Sequence, residues 1–249
     1  MFDVRRLFTV QPLAAVLGQG CRWPRLPHMN GPRNKAPAPG TDIPSAVVSR
    51  LSLYLRELQH LIRDGRATTS SGQLGRLLGF SDAQVRKDLA YFGHFGHPGI
   101  GYRCDELIGA IKRILGTDRD WPVALVGTGN LGRALLGYKG FGHQGFRIAA
   151  AFDVDVSKTG MAIDGVQIYH LDRLPEIIDK HRIKLGMIAV PAVAAQSVAD
   201  RLVAVGISGI LNFAPVTLVL PEAVSQIGVD LAIELEQLSF SVVNRGQVG

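Results

Sequence analysis

The densest chemical signal in the 249 residues is Gly127-Thr128-Gly129-Asn130-Leu131-Gly132, which follows the apolar run Val123-Ala124-Leu125-Val126. Glycines at that spacing, between a strand and a helix, form the fingerprint of a dinucleotide-binding turn. Gly127 makes the tight turn, Gly129 lets a pyrophosphate approach the main chain, and Gly132 lets the helix pack on the strand. The first amides of the helix have no intrahelical partner and carry partial positive charge toward the phosphates. A second apolar run, 148–152, ends in Asp153, 21 residues after Gly132. An acid there hydrogen-bonds the ribose hydroxyls and repels a 2′-phosphate, which favours NAD(H) over NADP(H). Asp155 is the alternative acid, placed in the following turn. The competing reading is a glycine turn in an α/β domain that holds no nucleotide.

A second group of residues suits a polyanion. Ser81-Asp82-Ala83-Gln84 has the spacing of a capping box, with Ser81 accepting from the Gln84 amide and the glutamine reaching back. The helix it opens turns Val85, Leu89 and Phe92 inward and leaves Gln84, Arg86, Lys87, Asp88 and Tyr91 toward the outside. Arg and Lys neutralise phosphates or reach guanine edges, and Gln pairs with adenine. A merely solvated helix face is the alternative. A shorter helix carrying Leu74, Leu77 and Leu78 precedes it, capped by Ser70 or Ser71 and ended by Gly79. Short helix, tight turn and capped helix form a helix-turn-helix, which with the end of the helix before them spans about Ser52 to Tyr91. The glycine-rich stretch 93–102 then reads as a wing hairpin, in which Gly99 and Gly101 permit tight turns at the DNA.

Other chemistry finds little support. His143, His170 and His181 stand apart, and His94 and His97 flank wing glycines with few further ligands near them, so no metal site is expected. Neither a nucleophile elbow nor a Walker lysine is present, and the dinucleotide region leaves little chain for a substrate domain. The protein therefore reads as one that binds a nucleotide without turning it over. Two cysteines, Cys21 and Cys104, make no disulfide framework and suit a reducing cytoplasm, with Cys104 read as a buried structural thiol.

These residues need scaffolds, and charge divides the chain into them. Net charge is +4 over residues 1–44, +4 over 45–104 and −2 over 105–249. The first segment holds seven of the thirteen prolines and reads as a disordered basic arm, with Met29 a second candidate start. Residues 45–104 read as the winged helix-turn-helix, opened by an amphipathic helix over 45–64 with Val47, Leu51, Tyr54, Leu58 and Leu61 on one face. Residues 105–228 alternate strands (123–126, 148–152, 185–190, 209–213) with helices (131–138, 171–181, 194–205), as parallel α/β sheets do. Residues 229–249 hold a last helix over 230–244, with Leu231, Leu235, Leu238 and Val242 along one face, which suits docking on a second subunit. No run approaches the ~18 apolar residues of a membrane span, so no membrane partner is expected.

Taken in order, Gln84-Val-Arg-Lys-Asp-Leu-Ala-Tyr-Phe-Gly93, Gly99-Ile-Gly-Tyr102, the 127–132 turn, Phe152-Asp-Val-Asp155 and Gly209-Ile-Leu-Asn-Phe-Ala-Pro215 closely resemble the bacterial redox-sensing repressors of the Rex family, over residues 44–243. The resemblance implies an α/β homodimer with an N-terminal winged helix-turn-helix, a C-terminal Rossmann domain and a terminal helix exchanged between subunits. It implies NADH and NAD⁺ as regulatory ligands and double-stranded operator DNA as partner, NADH releasing the operator and derepressing respiratory and fermentative genes. It carries over Gly127–Gly132 and Asp153 as dinucleotide contacts, with Val190, Pro191, Asn212 and Ala214 near the nicotinamide end. Gln84, Arg86 and Lys87 become DNA contacts, and Arg56, Tyr138 and Asp230 positions that rearrange between states. Two features depart from the family pattern: Pro98 stands where the wing usually has a basic residue, and the arm is long. The alternatives are a small NAD-dependent oxidoreductase, a CoA-binding domain fused to a helix-turn-helix-like module, or a dimeric repressor indifferent to nucleotide.

Overall fold

The computed structural model describes residues 43–245 other than His94, His97 and Pro98, and the chain separates into two units after Asp118. Of the proline-rich arm, only Ile43 and Pro44 are described; Ile43 packs on the first core and Pro44 leads into the first helix.

Helix α1 (Ser45–Arg63) buries Val47, Leu51, Tyr54, Leu55, Leu58 and Leu61 along one stripe, as its spacing predicts. Strand β1 (Thr68–Thr69), α2 (Ser71–Leu78) and α3 (Asp82–Ala90) follow. The Ser70 hydroxyl accepts from the Gln73 amide at 3.1 Å, and Gly79 closes α2 in the left-handed conformation. Ser81 caps α3 by accepting from the Gln84 amide at 3.1 Å. The expected box is half formed, since the Gln84 side chain turns down its own helix to Asp88 instead of back to the cap.

Where the sequence suggests a wing hairpin, the described residues show one strand, β2 (Tyr102–Arg103), which pairs antiparallel with β1, the strand that precedes α2. At Gly101, with φ +84°, any Cβ would overlap the Thr69 carbonyl oxygen, so glycine is what allows the two strands to meet.

Helix α4 (Cys104–Leu115) belongs with these elements, although the charge division placed 105 onward in the second domain. Its buried Cys104, Leu107 and Ile111 join the α1 side chains in one core. The chain break comes later, at Gly116 and the charged Asp118-Arg119-Asp120, beyond the last apolar position of α4.

The second unit is a seven-stranded sheet. Its strands are β3 (Trp121–Val126), β4 (Phe146–Asp153), β5 (Ala162–Ile163), β6 (Val166–His170), β7 (Leu185–Ile188), β8 (Gly209–Asn212) and β9 (Ser225–Gly228), in spatial order β5-β6-β4-β3-β7-β8-β9. All pairs are parallel except β5–β6. Helices α5 (Asn130–Leu136), α6 (Gly140–His143), α7 (Leu174–His181) and α8 (Ala192–Ala204) connect the strands. Two apolar layers cover the faces: Ala124, Val126, Phe152 and Ile188 pack with α7 and α8, while Val123, Leu125, Ala151 and Met187 pack with Leu136 of α5. The expected helix over 171–181 splits, its first three residues forming a 3-10 turn before Pro175 enters the first turn of α7. Strands β5 and β9 were not foreseen, whereas β6 ends at His170, before Leu171, where the sequence places a strand. Helix α9 (Leu231–Arg245) is the last element among the described residues, with Leu231, Leu235, Leu238 and Val242 all exposed. Among the described residues no helix is long and apolar enough to cross a membrane.

Candidate nucleotide cradle and DNA-facing helix

The parallel register places Val126, Phe152, Ile188 and Asn212 side by side, so the ends of β3, β4, β7 and β8 form one crest. After β3 the chain adds strands on one side, then returns to add β7 on the other. Ligands of open α/β sheets bind in the crevice at such a reversal.

The glycine turn sits on this crest. The Gly127 amide donates to the Phe152 carbonyl at 2.8 Å, and its φ of +96° is one that side-chain-bearing residues rarely adopt. A Cβ at Gly132 would overlap the Gly127 carbonyl, so this glycine seats α5 on the strand. Gly129 is different: nothing lies within 4 Å of the place its Cβ would take. It has ordinary extended dihedrals, φ −70° and ψ −162°, so neither strain nor packing calls for glycine there. The main chain at Gly129 is open to approach from outside. Asn130 and Leu131 are exposed beside it.

Thr128 and Asp153 lock the turn from below. Thr128 is fully buried, and both its amide and its hydroxyl donate to Asp153 Oδ2. Lys158 Nζ donates to the same oxygen at 3.0 Å, and the Asp155 amide donates to Oδ1 at 3.0 Å. Burial by itself raises the Asp153 carboxyl, but these hydrogen bonds outweigh it and hold the group far below the usual carboxylate range. Asp153 is thus an ionised brace whose charge is shared with Lys158. Its Oδ1 keeps lone-pair capacity toward a ligand, whereas Oδ2 is saturated. Asp155 is exposed and accepts from the amide and hydroxyl of Ser157 at 2.9 and 2.6 Å. The signal for Lys158 was its position five residues after Asp153, which sequence reading passed over.

Across the crest, Val190 is half-buried and Pro191 exposed, at the start of α8. Asn212 is buried and committed to its own loop: Nδ2 donates to the carbonyls of Ala214 and Val216 at 3.1 and 2.8 Å, and Oδ1 accepts from the Ala214 amide at 3.0 Å. Asn212 and the buried Ala214 shape the wall of the crest. Tyr138, beyond α5, is exposed and meets the Phe141 ring edge-on at 4.9 Å. Asp230 accepts from the Ala232 amide at 2.9 Å, at the entrance to α9. Arg56 is exposed on α1 of the first unit.

In that first unit, α3 presents Arg86 and Lys87 to solvent. Arg86 is held by Asp82, one turn earlier, at 2.7 Å and by the Ser71 hydroxyl at 3.3 Å. Lys87 has no ion-pair partner among the described residues. Tyr91 is half-buried against the core. Asp88, expected on the outer face, is fully buried: it accepts from Arg50, Tyr54 and Gln84, residues that bring one charge and two polar groups into the helical core. Gly99 and Gly101 flank the exposed Ile100, while His94, His97 and Pro98 lie outside the described residues. Cys104 is buried, and burial pushes its thiol up. No cluster of three or more metal-ligating side chains occurs among the described residues.

Two family models match the chain: a putative DNA-binding protein N-terminus over residues 42–90 and a CoA-binding domain over residues 118–216. The redox-sensing transcriptional repressor Rex of Pelotomaculum thermopropionicum is 48% identical over 203 residues, covering 82% of this chain and 95% of that protein. The chain belongs to the Rex family. The Rex of Streptomyces avermitilis is also 48% identical, over 198 residues that cover 80% of this chain and 79% of its own. Among solved structures, that of RSP in complex with β-NAD⁺ and operator DNA superposes with a TM-score of 0.78 at 33% identity, covering 84% of this Rex chain and 96% of RSP. RSP in complex with β-NADH matches with a TM-score of 0.76 at 32% identity, over 84% and 98% of the two chains. The fold is that of Rex, an N-terminal DNA-binding domain followed by a Rossmann domain.

Proposed function

We propose that this Rex chain is a transcriptional repressor that binds double-stranded operator DNA through its N-terminal unit and reads the NADH/NAD⁺ ratio through its C-terminal unit. NADH releases the operator, and the nucleotide is a signal that is not consumed. The observation that carries this is the pairing, on one chain, of an open glycine cradle at Gly129 with a DNA-facing helix, in a sequence 48% identical to Rex across both units. Gly127, Thr128, Gly129, Asn130, Leu131 and Gly132 would hold the dinucleotide. Asp153 braces the turn, and Val190 and Pro191 border the nicotinamide end. Lys87 and Arg86 would meet DNA, with Tyr91, Gly99 and Gly101 at the margin.

A ligand shifts DNA affinity only by favouring one arrangement of the protein over another. In this reading the chain acts as a homodimer through α9, and Arg56, Tyr138 and Asp230 exchange partners between the two arrangements. The test is an operator-binding titration at fixed salt with NADH, NAD⁺ and coenzyme A, together with direct measurement of each ligand's binding. NADH weakens operator binding and NAD⁺ does not. Bound NADH that leaves operator affinity unchanged refutes the coupling, and binding of coenzyme A alone favours the CoA-binding reading. Steady oxidation of NADH by the protein with a metabolite would make it an enzyme.

A further inference from the structure

The Asp88 cluster is larger than a helix cap or a surface pair needs. Asp88 is fully buried, and its carboxylate takes four donors. Arg50 Nε reaches Oδ2 at 2.6 Å and Arg50 Nη2 reaches Oδ1 at 2.8 Å, a two-pronged contact from α1 to α3. Tyr54 Oη, one turn further along α1, donates to Oδ2 at 2.8 Å, and Gln84 Nε2 donates to Oδ1 at 2.7 Å. A carboxylate offers about four lone-pair directions, so the group is satisfied in full.

An ion pair of this kind, with Asp88 buried and Arg50 21% exposed, is a weak source of stability, because taking charge out of water offsets most of the attraction. What it supplies is direction. The apolar contacts of α3, made by Val85 and Leu89, tolerate sliding and rotation; a forked guanidinium–carboxylate contact does not. Arg86 and Lys87 immediately precede Asp88 on a helix of nine residues. A rotation of ~15° about the helix axis would move a tip at the ~6 Å helix surface by ~1.5 Å, half a hydrogen bond.

We propose that Asp88, held by Arg50, Tyr54 and Gln84, is the positioning residue that sets the rotation of α3 and so the discrimination between operator and other DNA. Gln84, by this assignment, serves the clamp and not a base. The inference rests on the reading of α3 as the DNA-facing helix. It predicts that losing the clamp costs sequence discrimination while leaving phosphate attraction intact.

The experiment replaces both charges together, Arg50→Met with Asp88→Leu, and adds Tyr54→Phe and Asp88→Asn as single changes that keep the shape of the core. Two duplexes of equal length are used: one selected by the wild-type protein from a randomised library, and one scrambled. Thermal unfolding and NADH affinity are measured on each variant. The double variant, folded and with wild-type NADH affinity, should bind the scrambled duplex with an unchanged salt slope. Its preference for the selected duplex should fall at least about tenfold, the scale of a mismatched base pair. Tyr54→Phe and Asp88→Asn should lower the preference in the same direction, and they carry the decision if the double variant does not fold. An unchanged preference in every folded variant, or equal loss on both duplexes, overturns the assignment. A wild-type protein that selects no sequence at all would instead sink the repressor reading.

Discussion

Gly129 and Gly132 stand three residues apart in one turn, yet the structure gives them opposite duties, and alanine separates them. At Gly132 an added methyl would overlap the Gly127 carbonyl and lie 2.9 Å from its carbon, with backbone on both sides of the clash. Overpacking of this kind costs ~1–3 kcal/mol, against which a mid-helix Gly→Ala change returns at most about 1 kcal/mol of helix propensity. Gly132→Ala should therefore lower the melting temperature by roughly 5 °C and disturb the cradle with it. At Gly129 the same methyl meets nothing within 4 Å, in a backbone conformation open to any residue. The weaker cap and the stiffer unfolded chain nearly cancel, each below about 1 kcal/mol. Gly129→Ala should melt within ~2 °C of wild type. If the pyrophosphate passes over this backbone, NADH affinity should nevertheless fall at least about 100-fold, ~2.7 kcal/mol. Thermal unfolding and a fluorescence titration with NADH on the two variants decide the matter. A stable Gly129→Ala protein with wild-type NADH affinity would refute the reasoning, because the open space above Gly129 would then not be where the nucleotide lies.

Lys87→Ala should weaken operator binding and reduce its dependence on log salt by ~1, with NADH affinity unchanged; parallel loss of both would mark a folding defect. Asp88 and Asp153 are each held below the ordinary carboxylate range, because hydrogen bonds from Arg50, Tyr54 and Gln84, and from Thr128, Asp155 and Lys158, outweigh the upward push of burial. Their contribution to stability is complete above the unfolded carboxylate pKa of about 4 and is lost as pH falls through the folded values, so urea midpoints should drop below about pH 4 and drop less steeply in Asp153→Asn. In a Cys21→Ser background, Cys104 should react with a thiol reagent only as fast as the protein unfolds, since its side chain is buried; rapid labelling of the native protein would contradict that. Leu235→Asp with Leu238→Asp on the exposed face of α9 should shift the chain from dimer to monomer by analytical ultracentrifugation, and an unchanged mass would remove α9 from the subunit interface.

The chain announced those features that local spacing controls. The stripe of α1, the Ser70 and Ser81 caps and the glycine turn were legible because each depends on residues within one or two turns of one another. Strands 123–126 and 148–152 could be read because a strand buried on both faces is a continuous apolar run, whereas β5 is an edge strand of only two residues and β9 an edge strand of four with mixed polarity. Asp88 was misplaced because its charge assigned it outward, although its spacing from Val85 and Phe92 puts it on the buried stripe; only the distant Arg50 and Tyr54 make its burial affordable. The resemblance puts Asn212 near the nicotinamide end of a dinucleotide; the structure adds that its amide fastens its own loop. The domain boundary moved for a related reason: Leu107 and Ile111 could have faced either unit, and the fit to α1 decides between them only in three dimensions.

Consider finally the order in which these parts leave the ribosome. Every element of the first unit precedes Asp118, and its longest-range pairings, β1 with β2 and α1 with α4, are possible once Leu115 has emerged. The sheet behind it cannot be completed until β7 has been synthesised and slotted beside β3, some 60 residues upstream. Domains generally form as they emerge, and parallel sheets form late. A growing chain thus owns a DNA-binding head before it owns the sensor that governs it, and for that interval, tethered to the translation machinery, the head is beyond the reach of the signal.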